Sequence, residues 1–238
     1  MITKVLVAFT ISQALICGFT PDRPIPSGDE ILAGVESVNV RRHHDLKEYS
    51  GSRQYTLESP RFSKPAAVAV LMTYKEVEGE RYTVVTRSGS NQLNGIIDKV
   101  LASEAASSVA PERARHQISA ANYRVRLLGT ETVAGRRCFV LELTPKAKSS
   151  VLIIGKAWVD TGTYAVVQID GQFAASKSIL LGAPRIHEEF IDVHGFWLPS
   201  HVRSVTSSFL LGPSELDIQY TNYQLGGDVA PAEPKPLF

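Results

Sequence analysis

Apolar and polar residues alternate along most of this chain, with the period of strands that bury one face. The clearest run lies between Gly135 and Gly171, where Phe139, Leu141 and Leu143 alternate with Cys138, Val140 and Glu142. Leu152–Val159 and Tyr164–Ile169 are apolar and rich in β-branched residues. The four residues Asp160-Thr161-Gly162-Thr163 separate them, which predicts an antiparallel pair closed by a short turn. Further strand patterns cover Arg53–Glu58, Ala66–Lys75, Arg81–Arg87, a stretch holding Tyr123, Val125 and Leu127, then Arg185–Val193, Phe196–Thr206 and Glu215–Leu225. Leu216, Ile218 and Tyr220 share one face of the last. Glu78-Gly79-Glu80, His194-Gly195 and Leu211-Gly212-Pro213 read as turns. Ala66–Tyr74 is almost continuously apolar, which places it in the middle of a sheet.

Two regions change period. Asp29 precedes Ile31, Leu32, Val35 and Val38, a helical stripe that Leu46 extends, and Arg41, Arg42, His43, His44 and Lys47 fall near its end as a solvated cationic terminus. Asn91–Ala110 sets Leu93, Ile96, Ile97, Val100 and Leu101 on one face. Pro111 ends that helix, and Glu112–Ala121 reads as a second, shorter one. One leading helix, helices inserted after three strands and then strands to the end make an α+β chain, not a βαβ winding.

A length of 238 residues suits one large domain, and a net charge of +1 gives no global attraction to nucleic acid or anionic lipid. The first residues add a compartment. Lys4 precedes the apolar run Val5–Phe19, which is shorter than the roughly 20 residues a membrane span needs. It reads as a secretory signal over residues 1–18. Cys17 offers a lipid anchor, although Ile16 before it is large for that processing. Residues 19–28 are a proline-rich linker, 29–225 the folded domain, and 226–238 a disordered proline-rich tail. Once Cys17 is removed, Cys138 has no disulfide partner and reads as a buried strand residue.

Trp158-Val159-Asp160-Thr161-Gly162-Thr163 matches the local pattern of aspartic proteases, with Leu180-Leu181-Gly182 downstream. That chemistry needs two carboxylates sharing a proton, so one motif would demand a homodimer. The simpler reading is a hairpin in which Asp160 starts the turn and Gly162 supplies a left-handed residue. His187, His194 and His201 stand seven apart, which on strands does not gather them into a metal site. No phosphate loop, dinucleotide fingerprint or nucleophile elbow is present. No cofactor and no catalysis are expected.

Three segments carry a resemblance: Gly135-Arg-Arg-Cys-Phe-Val-Leu-Glu-Leu-Thr-Pro145, Ala157-Trp-Val-Asp160-Thr-Gly-Thr-Tyr164 and Gly195-Phe-Trp-Leu-Pro199. They are similar to the strand ending in Pro, the Trp-[Val/Ile]-Asp hairpin and the Gly-x-x-x-Pro strand of the LolA/LolB-type lipoprotein-sorting superfamily, to which MucB/RseB-type periplasmic regulators are related in fold. The resemblance implies an incomplete, strongly curved antiparallel β-barrel of about ten strands, with helices as a lid over an apolar cavity. It implies a periplasmic, non-catalytic binder of lipids or lipoprotein acyl chains, monomeric and without nucleic acid. The alternative is a sensor or scaffold for a membrane-anchored protein. By alternation, Tyr123, Val125, Leu127, Phe139, Leu141, Leu143, Leu216, Ile218 and Tyr220 are expected to line the cavity, under a lid carrying Ile96, Ile97 and Val100.

Overall fold

A computed structural model describes residues 25–176, 183–208 and 212–226. The expected signal segment, Cys17, Leu180-Leu181-Gly182 and nearly all of the tail lie outside those residues. Helix α1 (Gly28–Asp45) opens on a capping box. The Ser27 hydroxyl accepts from the Glu30 amide, and the Glu30 carboxylate accepts from the Ser27 amide at 2.7 Å. Leu46 has left the helix yet is buried. Strands β1 (Glu48–Glu58), β2 (Ala66–Lys75) and β3 (Gly79–Ser88) follow as consecutive hairpins. Next come α2 (Asn91–Ser108) and α3 (Ala110–His116). Pro111 lies in the first turn of α3, in keeping with a second helix that begins near it, because its fixed φ and missing N–H suit that place; the helix ends at His116, short of the expected Ala121.

The rest is a meander: β4 (Tyr123–Val133), β5 (Arg136–Pro145), β6 (Ile153–Asp160), β7 (Val166–Phe173), β8 (Arg185–Val193), β9 (Phe196–Ser208) and β10 (Gly212–Leu225). β10 returns beside β1, giving one antiparallel sheet of ten strands in the order β3-β2-β1-β10-β9-β8-β7-β6-β5-β4. Edges β3 and β4 do not pair, so the barrel is open between them, and α2 and α3 are the chain that connects those edges. This is the α+β, incomplete barrel expected from the sequence. β2 is a correction, since it lies next to an edge and not mid-sheet. Its burial alternates strictly over Ala66–Met72, because small Ala67 and Ala69 occupy the half-exposed face. No helix of the described residues is long and apolar enough to cross a membrane.

Strand register aligns one row of residues on the inner face across nine strands. It runs Leu127–Leu141–Ala157–Ile169–Glu188–Val202–Ile218–Tyr55–Val68, each paired with the next. The helices cover this row in two halves. Ile31, Leu32 and Val35 of α1 pack on Phe139, Leu141, Leu143, Ala157 and Val159. Leu93, Ile97 and Leu101 of α2 pack on Tyr55, Val68, Val202, Ile218 and Tyr220. Glu188 sits at the seam between the two cores, and it is the one charged residue of the row.

Candidate functional site

A cleft of about 640 Å³ opens at that seam, between the C-terminal half of α1, α3 and strands β7–β9. Each wall follows from local sequence. The α1 stripe Ile31–Val35–Val38 continues at the same helical spacing to Arg42, so one helix face passes from core to cleft to cation. Gly34 lets α1 settle on the β6–β7 turn, since a Cβ there would stand 2.4 Å from the Tyr164 ring. On β8, alternation points Glu188, Phe190 and Asp192 inward together. Val166, Ile169, Phe190 and Trp197 form an apolar floor facing Val38 and Ile118, while Arg41, Arg42, Arg113 and His116 stand along the helical side.

The charges of the cleft are unequally held. Arg42 donates to the Trp197 carbonyl at 3.2 Å, which ties the end of α1 to β9. Arg113 donates to the Tyr74 hydroxyl at 2.7 Å and to the Ser108 carbonyl at 3.1 Å. Arg41 is exposed and Glu188 half-buried, and neither has a hydrogen-bond or ion-pair partner among the described residues. Removal from water, reinforced by the Glu104 charge, pushes the Glu188 carboxyl up to about 7; Arg42 and Arg53 oppose that rise. Burial, with the neighbouring Arg42 and Arg113 charges, brings His43 down to about 4. The basic end of α1 is solvated as expected at Arg41, His44 and Lys47, which are exposed, but β9 folds against Arg42, which becomes a wall.

The expected cavity residues divide between the two cores. Tyr123, Phe139, Leu141 and Leu143 are buried around α1, with Val125 and Leu127 half-buried beside them. Ile218 and Tyr220 are buried beneath α2, with Leu216 packed at their edge. Ile97 is buried in the same core, and Ile96 and Val100 pack against it. All lie in the helix-packed cores, and the cleft is walled by other residues. Alternation finds the inner face but does not tell which part of it the helices leave uncovered. Of the cleft residues, Glu188 had a legible signal, a carboxylate at an inward position between Ile186 and Phe190.

Asp160 shapes a turn. Its Oδ1 accepts from the Gly162 amide at 3.0 Å, the Thr163 amide at 2.8 Å and the Thr163 hydroxyl at 3.0 Å. Arg136 reaches Oδ2 at 3.3 Å. Although burial pushes the other way, those amide and hydroxyl donors and Arg136 hold the carboxyl below its ordinary range. The left-handed residue is Tyr164 (φ 59), not Gly162 as expected, because the turn closes one residue later through the Tyr164 amide to the Asp160 carbonyl. His187 and His201 are brought together after all: antiparallel register places them on one outer face, with ring nitrogens 3.3 and 3.9 Å from the two oxygens of Glu189. No His, Cys, Asp and Glu cluster among the described residues could hold a metal. Cys138 is fully buried on β5.

A family model described only as "-like: Uncharacterized protein" matches residues 115–208, less than half of the chain. No curated protein matches. Among solved structures, the chain is similar to a LolA superfamily protein from Nitrosomonas europaea, at 13% identity over 85% of this chain and 95% of that one, TM-score 0.45. It is similar to a DUF1329 family protein from Desulfovibrio piger, at 14% identity over 85% and 95%, TM-score 0.44. A third is described as an outer membrane lipoprotein-sorting protein domain from Vibrio parahaemolyticus, at 12% identity over 85% and 94%, TM-score 0.44. The likeness is one of fold.

Proposed function

We propose that this chain is a non-catalytic binder of lipid or lipoprotein acyl chains, acting in the periplasm, with the chain seated in the cleft between α1, α3 and β7–β9. What supports the reading is the apolar floor of Val166, Ile169, Phe190 and Trp197 under a cationic side, an arrangement complementary to an amphiphile with an anionic head. The apolar run after Lys4 supports export. Magnitudes favour an amphiphile over a bare hydrocarbon. Burying ten methylenes is worth about 8 kcal/mol, and association costs at least about 4 kcal/mol in lost freedom. The chain alone binds weakly, and the arginines add the remainder.

The test is titration with a fluorescent acyl probe, together with mass spectrometry of lipid extracted from protein purified natively. Wild type is expected to take up the probe. Phe190→Glu, which puts a further carboxylate on the floor between Glu188 and Asp192, is expected to weaken uptake at least about tenfold, since an unpaired charge costs more than about 1.4 kcal/mol against hydrocarbon. Circular dichroism checks that the variant is folded. Native protein free of lipid that also ignores the probe would overturn the reading.

A further inference from the structure

The floor of the cleft carries a group that an acyl chain does not tolerate as an anion. Glu188 stands in a row that is otherwise uncharged from β4 to β2, between Ile169 on β7 and Val202 on β9. Along its own strand it lies between Ile186, which packs on the core under α2, and Phe190, which packs on the core under α1. It makes no hydrogen bond or ion pair with any described residue. In the open cleft, water still reaches part of this half-buried carboxylate. A chain laid over Ile169 and Phe190 expels that water and leaves the charge against hydrocarbon, which the site avoids by neutralising it.

We infer that Glu188 takes up a proton from solvent when an acyl chain fills the cleft, and that Arg41 holds the anionic head of the same ligand. This rests on the acyl-binding reading. Charged and titratable groups face Glu188 from every side. Arg42 of α1 and Arg53 of β1 favour the anion, and Glu104 of α2 opposes it. Tyr220 of β10 lies within its electrostatic reach. Arg113 and His116 of α3 and Asp192 of β8 share the cleft wall. The two arginines are both engaged elsewhere, Arg42 with the Trp197 carbonyl and Arg53 with Glu80 and Glu104, so neither pairs with Glu188. Arg41 is exposed at the rim without a partner, the position of a head-group contact. Burial already pushes the carboxyl up to about 7, so the coupling falls in the range where cells change pH.

The experiment measures the affinity of a fluorescent lysophosphatidylglycerol, whose phosphodiester keeps its charge throughout, from pH 6 to 8.5. Binding that needs the protonated acid is expected to weaken about thirtyfold over that range. Glu188→Gln is expected to bind equally at every pH, within about twofold of wild type at pH 6. Should the glutamine variant unfold, Glu188→Leu serves, with thermal unfolding confirming the fold. Arg41→Gln is expected to weaken this probe several-fold and to leave a fluorescent neutral monoacylglycerol unchanged. A wild type that binds tightly with no pH dependence overturns the proton coupling while acyl binding stands. A slope that survives in Glu188→Gln and Glu188→Leu overturns it too, and would place the titrating group elsewhere. Equal losses on both probes in Arg41→Gln overturn the head-group contact. A wild type that binds neither probe at any pH overturns this inference and the acyl-binding reading together.

Discussion

Arg53→Ala is expected to lower stability by about 3–5 kcal/mol, the cost of leaving buried charges without their partner. Arg53 is 5% exposed and lies inside the half of the sheet under α2. Its guanidinium meets Glu80 of β3 at 2.6 Å, Glu104 of α2 at 3.0 Å and the Tyr82 hydroxyl at 2.7 Å. It also lies over the Tyr82 and Tyr220 rings, at 5.2 and 4.8 Å. Tyr55 donates to Glu104 at 2.6 Å. Removing Arg53 leaves the Glu80 and Glu104 carboxylates without their shared cation and removes one of the ties between α2 and the sheet. At about 2–4 °C per kcal/mol for a chain of this size, the melting temperature should fall by about 6–20 °C. The mechanism has its own pH signature. Glu104 already sits above its ordinary value, chiefly through burial, and Arg53 is the first group holding it down. Without Arg53 its folded value rises further, so the folded state binds more protons than the unfolded one. The variant should then regain stability as pH falls toward 5, and a deficit constant with pH would point to lost packing instead. Arg53→Met combined with Glu104→Leu should recover part of the loss, because replacing both sides of a buried pair with apolar groups is far milder than removing one.

The same residues show what a linear reading reaches. Alternation in β4–β8 and the stripe of α1 are local properties, so ten strands, three helices and their order follow from spacing alone. The open barrel does not follow from spacing: it is what the resemblance carried by the segments around Pro145, Asp160 and Pro199 implies, and the strand order agrees with it. The site is different in kind. Arg42 reads as a solvated helix end until β9 brings the Trp197 carbonyl to it, a contact spanning 155 positions. His187 and His201 read as separate until the β8–β9 register sets Glu189 between them. Leu141 and Ile218 read as lining a cavity because they face inward, yet α1 and α2 fill those two halves. Which strip stays open depends on where two helices stop, and no periodicity records that. Glu188 is the instructive exception: an acid on the apolar side of a strand is a local conflict, and local conflicts of this kind mark function.

That conflict predicts a gain of stability on its removal. Glu188→Leu is expected to stabilise the protein at pH 8 by up to about 3 kcal/mol, and to change little at pH 4 to 5. The sign follows from the direction of the shift. Burial raises the folded value from about 4.5 to about 7, so between those limits the folded state holds a proton that the unfolded chain has lost. Stability conferred by the wild-type residue therefore falls as pH rises through that window, and the whole penalty is present above 7. Leucine cannot ionise and carries no such penalty. Chemical denaturation of both proteins at pH 5 and pH 8 reads the difference, and residual solvation of the half-buried carboxyl makes the stated figure an upper bound. Equal stabilities at pH 8 would mean that water reaches the carboxylate freely, and that the cleft floor costs nothing to keep charged. A gain confined to high pH would instead show a residue held against stability, the trade expected of a group retained for binding and not for folding.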